Sequence, residues 1–462
     1  MDGKREIICI GRPGDDGGIG DDTQILRLLD AESVAVSTLS SASISSQLGE
    51  IFSTMGGGSA VIKTGWMGDS ETIVSLVKSL SGRRDTIICD AAIPPKPDAV
   101  EKMKQEFFPL VELLIVGAKE TLSLTGLPAA TPMEMETAAK TLLTFGAKSA
   151  LVRGDALKNP DVVQDFWSDG AQSFWITAPR LDGKARGNKG ALLACSIAAA
   201  RAGGFDLLES LVLAWVQQSD RVARDENGKP PTFSIGTEDF PWISRSAASG
   251  QNPPRFPPIE TDSPELYPIV DRFEWIRRLA PLGVRTIQLR IKDLEGRALE
   301  DEIARAAAFA AENGLRLFIN DYWELAIKHG AYGVHLGQED LAGARIDLIE
   351  KAGLRLGVST HSYFEAAVAH GLRPSYAALG PVYFTKLKSM RFAPQGVQKL
   401  AAWKRMLGCP LVAIGGITLE NAPEVLREKP DFISVVGDIA NAPDTEARVR
   451  SWMELLSHVN NS

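Results

Sequence analysis

The sequence predicts an α/β protein of two domains, the second of them a (β/α)8 barrel. Three observations lead there. The chain has 462 residues, and single hydrophobic cores stop growing at about 250–300 residues. Both halves alternate short apolar runs with amphipathic helical patterns, the signature of α/β architecture. Composition also shifts once, from Asp225 to Pro258, in DENGKPPTFSIGTEDFPWISRSAASGQNPPRFPP. Proline, glycine and serine crowd together there, and neither a helical nor a strand period persists. The expected division is a first domain at 1–235, a Pro/Gly/Ser-rich linker at 236–262 and the barrel at 263–462. Trp242 and Ile243 are apolar enough for part of the linker to pack on a domain.

Bulk properties narrow the function classes. Apolar residues are 44% and charged residues 23% of the chain, an ordinary globular balance. With 50 Lys and Arg against 58 Asp and Glu, the net charge is −8. Such a chain lacks the phosphate attraction that nucleic-acid binders rely on, so no nucleic-acid partner is expected. No apolar run approaches the roughly 20 residues that span a bilayer, and no membrane partner is expected. Met1 to Glu6 is polar with no apolar stretch behind it, unlike a secretory signal. Cys9, Cys89, Cys195 and Cys409 form no CxxC pair and read as buried thiols of a cytoplasmic protein rather than zinc ligands. Small molecules are the expected partners, and a homo-oligomer is compatible with the sequence.

The second half carries eight expected strands: Leu266–Val270, Thr286–Lys292, Leu315–Asp321, Tyr332–Gly337, Arg355–Thr360, Tyr376–Val382, Pro410–Gly416 and Phe432–Asp438. Continuous apolar runs such as VAIGG and FISVV are those of parallel strands buried on both faces. Helical patterns separate them, as at Glu300–Asn313 and Ser362–His370. Eight such units in about 200 residues fit a closed barrel better than an open doubly wound sheet.

In a barrel the C-terminal strand ends face one mouth. On the second strand Gln288, Arg290 and Lys292 share one face by the period of two. An inward pair of cations points to an anion, and a solvated charged edge is the other reading. Asp321 ends the third strand, and Asp340 follows the fourth in HLGQED. Two carboxylates beside an anion site point to Mg²⁺, which takes a few carboxylates plus substrate phosphate oxygens. Helix capping is the plainer alternative for Asp321. The fifth strand ends Ser359-Thr360-His361, where the histidine reads equally as an acid/base group or as a loop residue. Thr385 and Lys388 follow the sixth strand, and Gly415-Gly416 close the seventh, a frequent phosphate position.

The stretches QLRIK, FINDYWELA, GVHLGQEDL, GVSTHS, LGPVYFTKLK, VAIGGI and FISVVGDI, in that order, resemble thiamine phosphate synthase from Glu265 to Leu456. That family is a (β/α)8 barrel joining hydroxymethylpyrimidine diphosphate to thiazole phosphate with release of diphosphate. The resemblance implies that Gln288, Arg290, Lys292, Asn320, Ser359 and Lys388 hold the pyrimidine diphosphate. It implies Mg²⁺ on Asp321 and Asp340, and thiazole phosphate at Thr385, Gly416, Val436 and Gly437. Arg290, Lys292 and Lys388 would offset charge on the leaving group. Two departures stand out. Leu387 replaces a hydroxyl residue of the family's TxTK, and Gly437-Asp438 replaces the Ser-Ala of VVSAI. An acid beside a phosphate site repels unless it turns away or captures a cation. A thiazole tautomerase shares the barrel, but diphosphate and metal motifs have no part in that reaction.

The first half, from Arg5 to Val222, resembles hydroxymethylpyrimidine (phosphate) kinase of the ribokinase-like three-layer αβα fold. The stretches are GRPGDDGGIGDD, VIKTGWMGD, IICDAAIPPKPD, LLIVGAKETLSLTG, ALVRGD and RGNKGALLACSIAAARAGG. The family's GTGC-type anion hole here reads Asn188-Lys189-Gly190-Ala191, with Ala191 at the position of the reactive cysteine and Cys195 one turn on. Arg153 replaces a lysine and Gly117 an asparagine, while Lys63 and Asp90 match. A fold that has lost phosphoryl transfer is expected. The alternatives are a kinase active on hydroxymethylpyrimidine (phosphate) with ATP, using Lys189 and Asp182 or Asp155, and a ligand-sensing or dimerisation module.

Overall fold

The computed structural model describes residues 5–14, 18–94, 96–180, 189–224, 236–237, 240–248, 255–261, 264–385 and 393–460. The chain divides into two compact units, one of residues 1–234 with 238–252 and one of residues 235–237 with 253–462.

The first unit is built on a nine-stranded open sheet. Its strands are β1 (Ile7–Gly11), β2 (Ser33–Ser37), β3 (Val61–Thr64), β4 (Thr86–Asp90), β5 (Leu113–Val116), β6 (Ala150–Arg153), β7 (Val162–Ser168), β8 (Ser173–Pro179) and β9 (Trp242–Ser244). Their spatial order is 2-1-3-4-5-6-7-8-9. Pairing is parallel from β2 through β6 and antiparallel from β6 through β9. Every residue of β1, β3 and β5 is buried, so both faces of the central sheet are covered, as in a three-layer αβα fold. The connecting helices start on local signals. Asp69 caps the helix Ser70–Leu80 through the Thr72 amide, and Thr131 and Glu134 form a reciprocal capping box with proline behind it at Pro132–Leu143. Trp242–Ser244, inside the expected linker, is the edge strand of this sheet, with Ile243 beside Ile176 of β8. The apolar pair there supplies what a strand needs.

The second unit is a closed parallel barrel of eight strands. They are β10 (Glu265–Val270), β11 (Thr286–Leu289), β12 (Arg316–Asn320), β13 (Gly333–Leu336), β14 (Arg355–Thr360), β15 (Tyr376–Leu379), β16 (Leu411–Ile414) and β17 (Phe432–Val435). β10 closes on β17 through Leu266 beside Ile433. Several strands stop two or three residues before the expected ends, β11 at Leu289 rather than Lys292 and β15 at Leu379 rather than Val382. The pattern of residues continues into the mouth loops after the ladder has ended.

Aromatic rings fill the barrel. Tyr267, Phe318, Tyr376 and Phe432 are fully buried, and Phe318 meets Tyr376 edge-on with centroids 5.1 Å apart. Glycines on the next strands make room for them. A Cβ on Gly333 would lie 2.5 Å from the Phe318 ring, and one on Gly357 2.1 Å from the Tyr376 ring. No helix among the described residues is long and apolar enough to cross a membrane.

Candidate active site

The barrel mouth opens into a cavity of about 960 Å³. Gln288 is the buried penultimate residue of β11, while Arg290 and Lys292 follow the strand in the loop, and all three line the cavity. Arg290 makes no side-chain hydrogen bond or ion pair among the described residues. A guanidinium facing a cavity with its five donors uncommitted is suited to an anion. Lys292 forms an ion pair with Asp321.

Asn320 ends β12 and Asp321 follows it, and the Asn320 amide donates to the Asp321 carboxylate. Asp321 has a left-handed backbone, φ 67°, uncommon outside glycine and concentrated at working sites. Its side chain does not cap the helix Trp323–Lys328, which has no side-chain cap. Asp340 lies in the short helix Gln338–Leu341 after β13. Burial first, and then the neighbouring Asp321 charge, push the Asp340 carboxyl above its ordinary value, with the Gly337 amide and Lys292 opposing. Two crowded carboxylates that resist joint ionisation become compatible when a cation sits between them. This donor set fits Mg²⁺, which needs only one or two protein carboxylates when phosphate oxygens complete its shell. Among the described residues no group of three His, Cys, Asp or Glu side chains gathers as an all-protein metal cage.

Ser359, the penultimate residue of β14, accepts or donates at 2.8 Å from His335 Nε2. His361 is 2.7 Å from the Glu365 carboxylate through Nδ1, and both Ser359 and His361 line the cavity. Thr385 lines it from the loop after β15. Lys388, with Lys386 and Leu387, lies outside the described residues. Gly416 has φ 68°, and a Cβ there would meet the Phe384 carbonyl at 2.6 Å. The missing side chain therefore lets two mouth loops approach each other, beyond any role toward phosphate. Val436 and Gly437 line the cavity after β17. Asp438 is turned aside: its Oδ2 accepts from Trp452 Nε1 at 2.7 Å, and its Oδ1 lies 3.6 Å from Arg448 Nη1. The expected repulsion is met by both remedies at once.

Of the cavity residues that the sequence pattern leaves unmarked, His335, Ser434 and Phe384 are the most telling. His335 shares the inward face of β13 with Gly333, so its period of two was the available signal. Ser434 is buried on β17 and lines the cavity, and its hydroxyl has no hydrogen-bond partner among the described residues. Phe384 stands 71% exposed at the rim, and nothing in its local pattern marks it.

Residues 266–439 match the family model for thiamine monophosphate synthase. The thiamine-phosphate synthase of Rhizobium etli is 53% identical over 189 residues, 41% of this chain and 93% of that protein. The chain belongs to the thiamine-phosphate synthase family. The enzyme of the same name from Cronobacter sakazakii is 56% identical over 191 residues, 41% of this chain and 91% of that protein. Among solved structures, a thiamine phosphate pyrophosphorylase from Pyrococcus furiosus is 28% identical, covers 42% of this chain and 96% of its own, and gives a TM-score of 0.38. Ahead of the synthase region, residues 29–219 match the model for phosphomethylpyrimidine kinase. An open αβα domain of the ribokinase-like fold, similar over residues 29–219 to that kinase model, is thus fused to the synthase barrel.

The polar residues of that first domain are arranged differently. Lys63 on β3 lies 2.7 Å from Asp22, with side chains 3% and 5% exposed. Burial depresses the ammonium, but Asp22, Cys195 and Asp90 outweigh it, and the Lys63 pKa lies above the ordinary lysine value. Cys195 is fully buried and its thiol is pushed well up, first by burial. Such burial is that of a packing thiol. Asp155 accepts from the Ala118 amide at 3.2 Å and pairs with Arg153 at 3.5 Å. Asn188 and Asp182 lie outside the described residues, as does the side chain of Lys189.

Proposed function

We propose that the barrel joins 4-amino-5-hydroxymethyl-2-methylpyrimidine diphosphate to hydroxyethylthiazole phosphate, giving thiamine phosphate and diphosphate. The observation that carries the site assignment is the uncommitted Arg290 guanidinium beside Lys292 and the Asp321–Asp340 pair in one cavity. The methylene C–O bond breaks and its electron pair leaves with diphosphate. The aminopyrimidine stabilises the resulting cation. The thiazole nitrogen then forms the C–N bond with its own lone pair, so the enzyme supplies no nucleophile. Arg290 and Lys292, with Lys388, offset the charge growing on the leaving oxygens. Gln288, Asn320 and Ser359 hold the pyrimidine diphosphate, and Thr385, Gly416, Val436 and Gly437 hold the thiazole phosphate. Asp321 and Asp340 would hold Mg²⁺, which when bound neutralises leaving diphosphate.

The first domain is read as a kinase body without phosphoryl transfer. Ala191 is apolar and buried at the position of the reactive cysteine, Lys63 is committed to Asp22, and Asp155 brings negative charge to the start of the helix Ala118–Thr125. Four buried free thiols support a reducing, cytoplasmic setting. The test is the full chain supplied with both substrates, with and without Mg²⁺ and ATP. Diphosphate release that needs Mg²⁺ and ignores ATP is expected, and Asp340→Asn should raise the Mg²⁺ requirement. No diphosphate release from folded protein overturns the synthase reading. ATP consumption with hydroxymethylpyrimidine phosphate restores the bifunctional one.

A further inference from the structure

A chain of buried and half-buried polar groups runs along the cavity floor from Gln288 to Ser359. Gln288 Nε2 donates to the Tyr267 hydroxyl at 3.4 Å. That hydroxyl is 2.8 Å from the Tyr376 hydroxyl, which is 2.7 Å from His335 Nδ1. His335 Nε2 reaches Ser359 Oγ at 2.8 Å. Tyr267 and Tyr376 are 1% and 0% exposed and lie behind the cavity lining, whereas Gln288, His335 and Ser359 border the cavity. Burial pushes both phenols well above their ordinary values, so each hydroxyl keeps its single hydrogen. Gly357 is bare at the one place where a Cβ would lie 2.3 Å from the Tyr376 hydroxyl oxygen.

One hydrogen per hydroxyl makes the chain directional. With the Gln288 amide nitrogen toward Tyr267, Tyr267 must donate to Tyr376, and Tyr376 to His335 Nδ1. His335 then carries its proton on Nε2 and donates to Ser359. The two ends are left with opposite characters. Gln288 offers Oε1, which makes no hydrogen bond among the described residues, and Ser359 has a hydroxyl hydrogen to give. Reversing one end requires reversing every link. We propose that Tyr267, Tyr376 and His335 are positioning residues that fix an acceptor at Gln288 and a donor at Ser359, so that the cavity selects an aminopyrimidine, which offers an amino donor and a ring-nitrogen acceptor. This rests on the synthase reading and extends it to residues beneath the site.

The test compares the full-length wild type with Tyr376→Phe, which breaks the chain at its middle, and with Gly357→Ala, which displaces the same hydroxyl without removing it. Each is assayed with the aminopyrimidine diphosphate and with its 4-oxo analogue, whose amino donor has become an acceptor. Both variants should raise KM for the aminopyrimidine diphosphate by about tenfold or more, lower discrimination against the oxo analogue by a similar factor, and leave KM for thiazole phosphate unchanged. Nitrogen-15 NMR of His335 in the wild type should show the proton on Nε2. Unchanged pyrimidine KM and discrimination in a folded variant overturn the proposal, as does a proton on Nδ1 in the wild type. The tautomer reading stands even if neither variant folds. Absence of wild-type turnover would instead overturn the synthase reading, so the two failures are distinguishable.

Discussion

Lys63 in the first domain and Arg290 and Lys292 in the second all stand at or just beyond the C-terminal ends of parallel strands, where α/β proteins gather their ligands. Their surroundings differ. Lys63 is sealed against Asp22 in the interior. Arg290 faces a cavity of about 960 Å³ with its donors uncommitted. The contrast separates charge that has become structure from charge that is held ready for a ligand. A buried pair that neutralises itself has little charge left for a phosphate, whereas an unpaired cation in a concave site is tolerable because an anion will complete it. Retention of a residue type at a family position is therefore a weak guide to retention of its chemistry.

The largest expected effect strikes the first domain. Lys63→Met leaves the Asp22 carboxylate buried without its partner and should destabilise that domain by about 3–5 kcal/mol. Diphosphate release by the barrel should stay within about twofold of wild type at temperatures where the chain remains folded. The double variant Lys63→Met with Asp22→Leu should recover most of the stability. A collapse of synthase turnover in the folded single variant would break the division between the domains. Arg290→Ala is the converse. It should lower kcat/KM about 10²–10³-fold while hydrogen-exchange protection of the barrel strands stays near wild type.

A third effect sharpens the contrast through pH. Asp165 on β7 is 7% exposed and accepts from the Gly154 amide at 2.9 Å. Burial pushes its carboxyl up to about 7, against the Gly154 amide and Arg153, which pull it down. An unfolded aspartate ionises near pH 3.9. Between that value and about 7 the folded chain holds a proton that the unfolded chain has lost, so this group stabilises the fold fully at low pH and its contribution disappears as pH rises through neutrality. Wild type should lose stability in the first domain between pH 5 and pH 8 relative to Asp165→Asn, by a few kcal/mol at most. Amide exchange at β6 and β7 across that range measures it, and parallel curves would refute it.

Much of the barrel was legible because its signals are local. Strand periodicity put Gln288 and Asn320 at the mouth, and adjacency put Asp321 and Asp340 on neighbouring strand ends. What escaped depends on contacts between distant segments. Tyr267 and Tyr376 are 109 positions apart, and their hydroxyl contact has no local trace. Gly357 reads as an ordinary strand glycine until the Tyr376 ring fills its space. Strand ends were overrun because charged and apolar residues keep alternating after the ladder stops, and Trp242–Ser244 was hidden by its proline-rich surroundings. In the first domain, sequence preserved Lys63 but not the fact that Asp22 neutralises it.

The smallest effect asks whether the barrel also contains charge that has become structure. Asp438 stands beside Gly437 at the mouth, where a free carboxylate would repel thiazole phosphate. It is 7% exposed as a side chain, its Oδ2 is held by Trp452 Nε1, and Arg448 stands 3.6 Å from Oδ1. Arg448 also reaches Glu420, in the segment after β16, at 3.3 Å. Asp438 therefore resembles Asp22 more than Asp321: its charge is spent on neighbours, and its role is to tie the loop after β17 to the C-terminal helix Thr445–Asn460. Asparagine can still accept from Trp452. Asp438→Asn should thus shift KM for thiazole phosphate by no more than about threefold, in line with the small worth of a partly exposed ion pair. Asp438→Ala, which removes the acceptor for a buried indole N–H, should cost about 1–3 kcal/mol of stability. If Asp438→Asn instead tightened thiazole phosphate tenfold or more, the carboxylate would be acting on the ligand through the cavity, and the distinction between committed and available charge would fail inside the barrel itself.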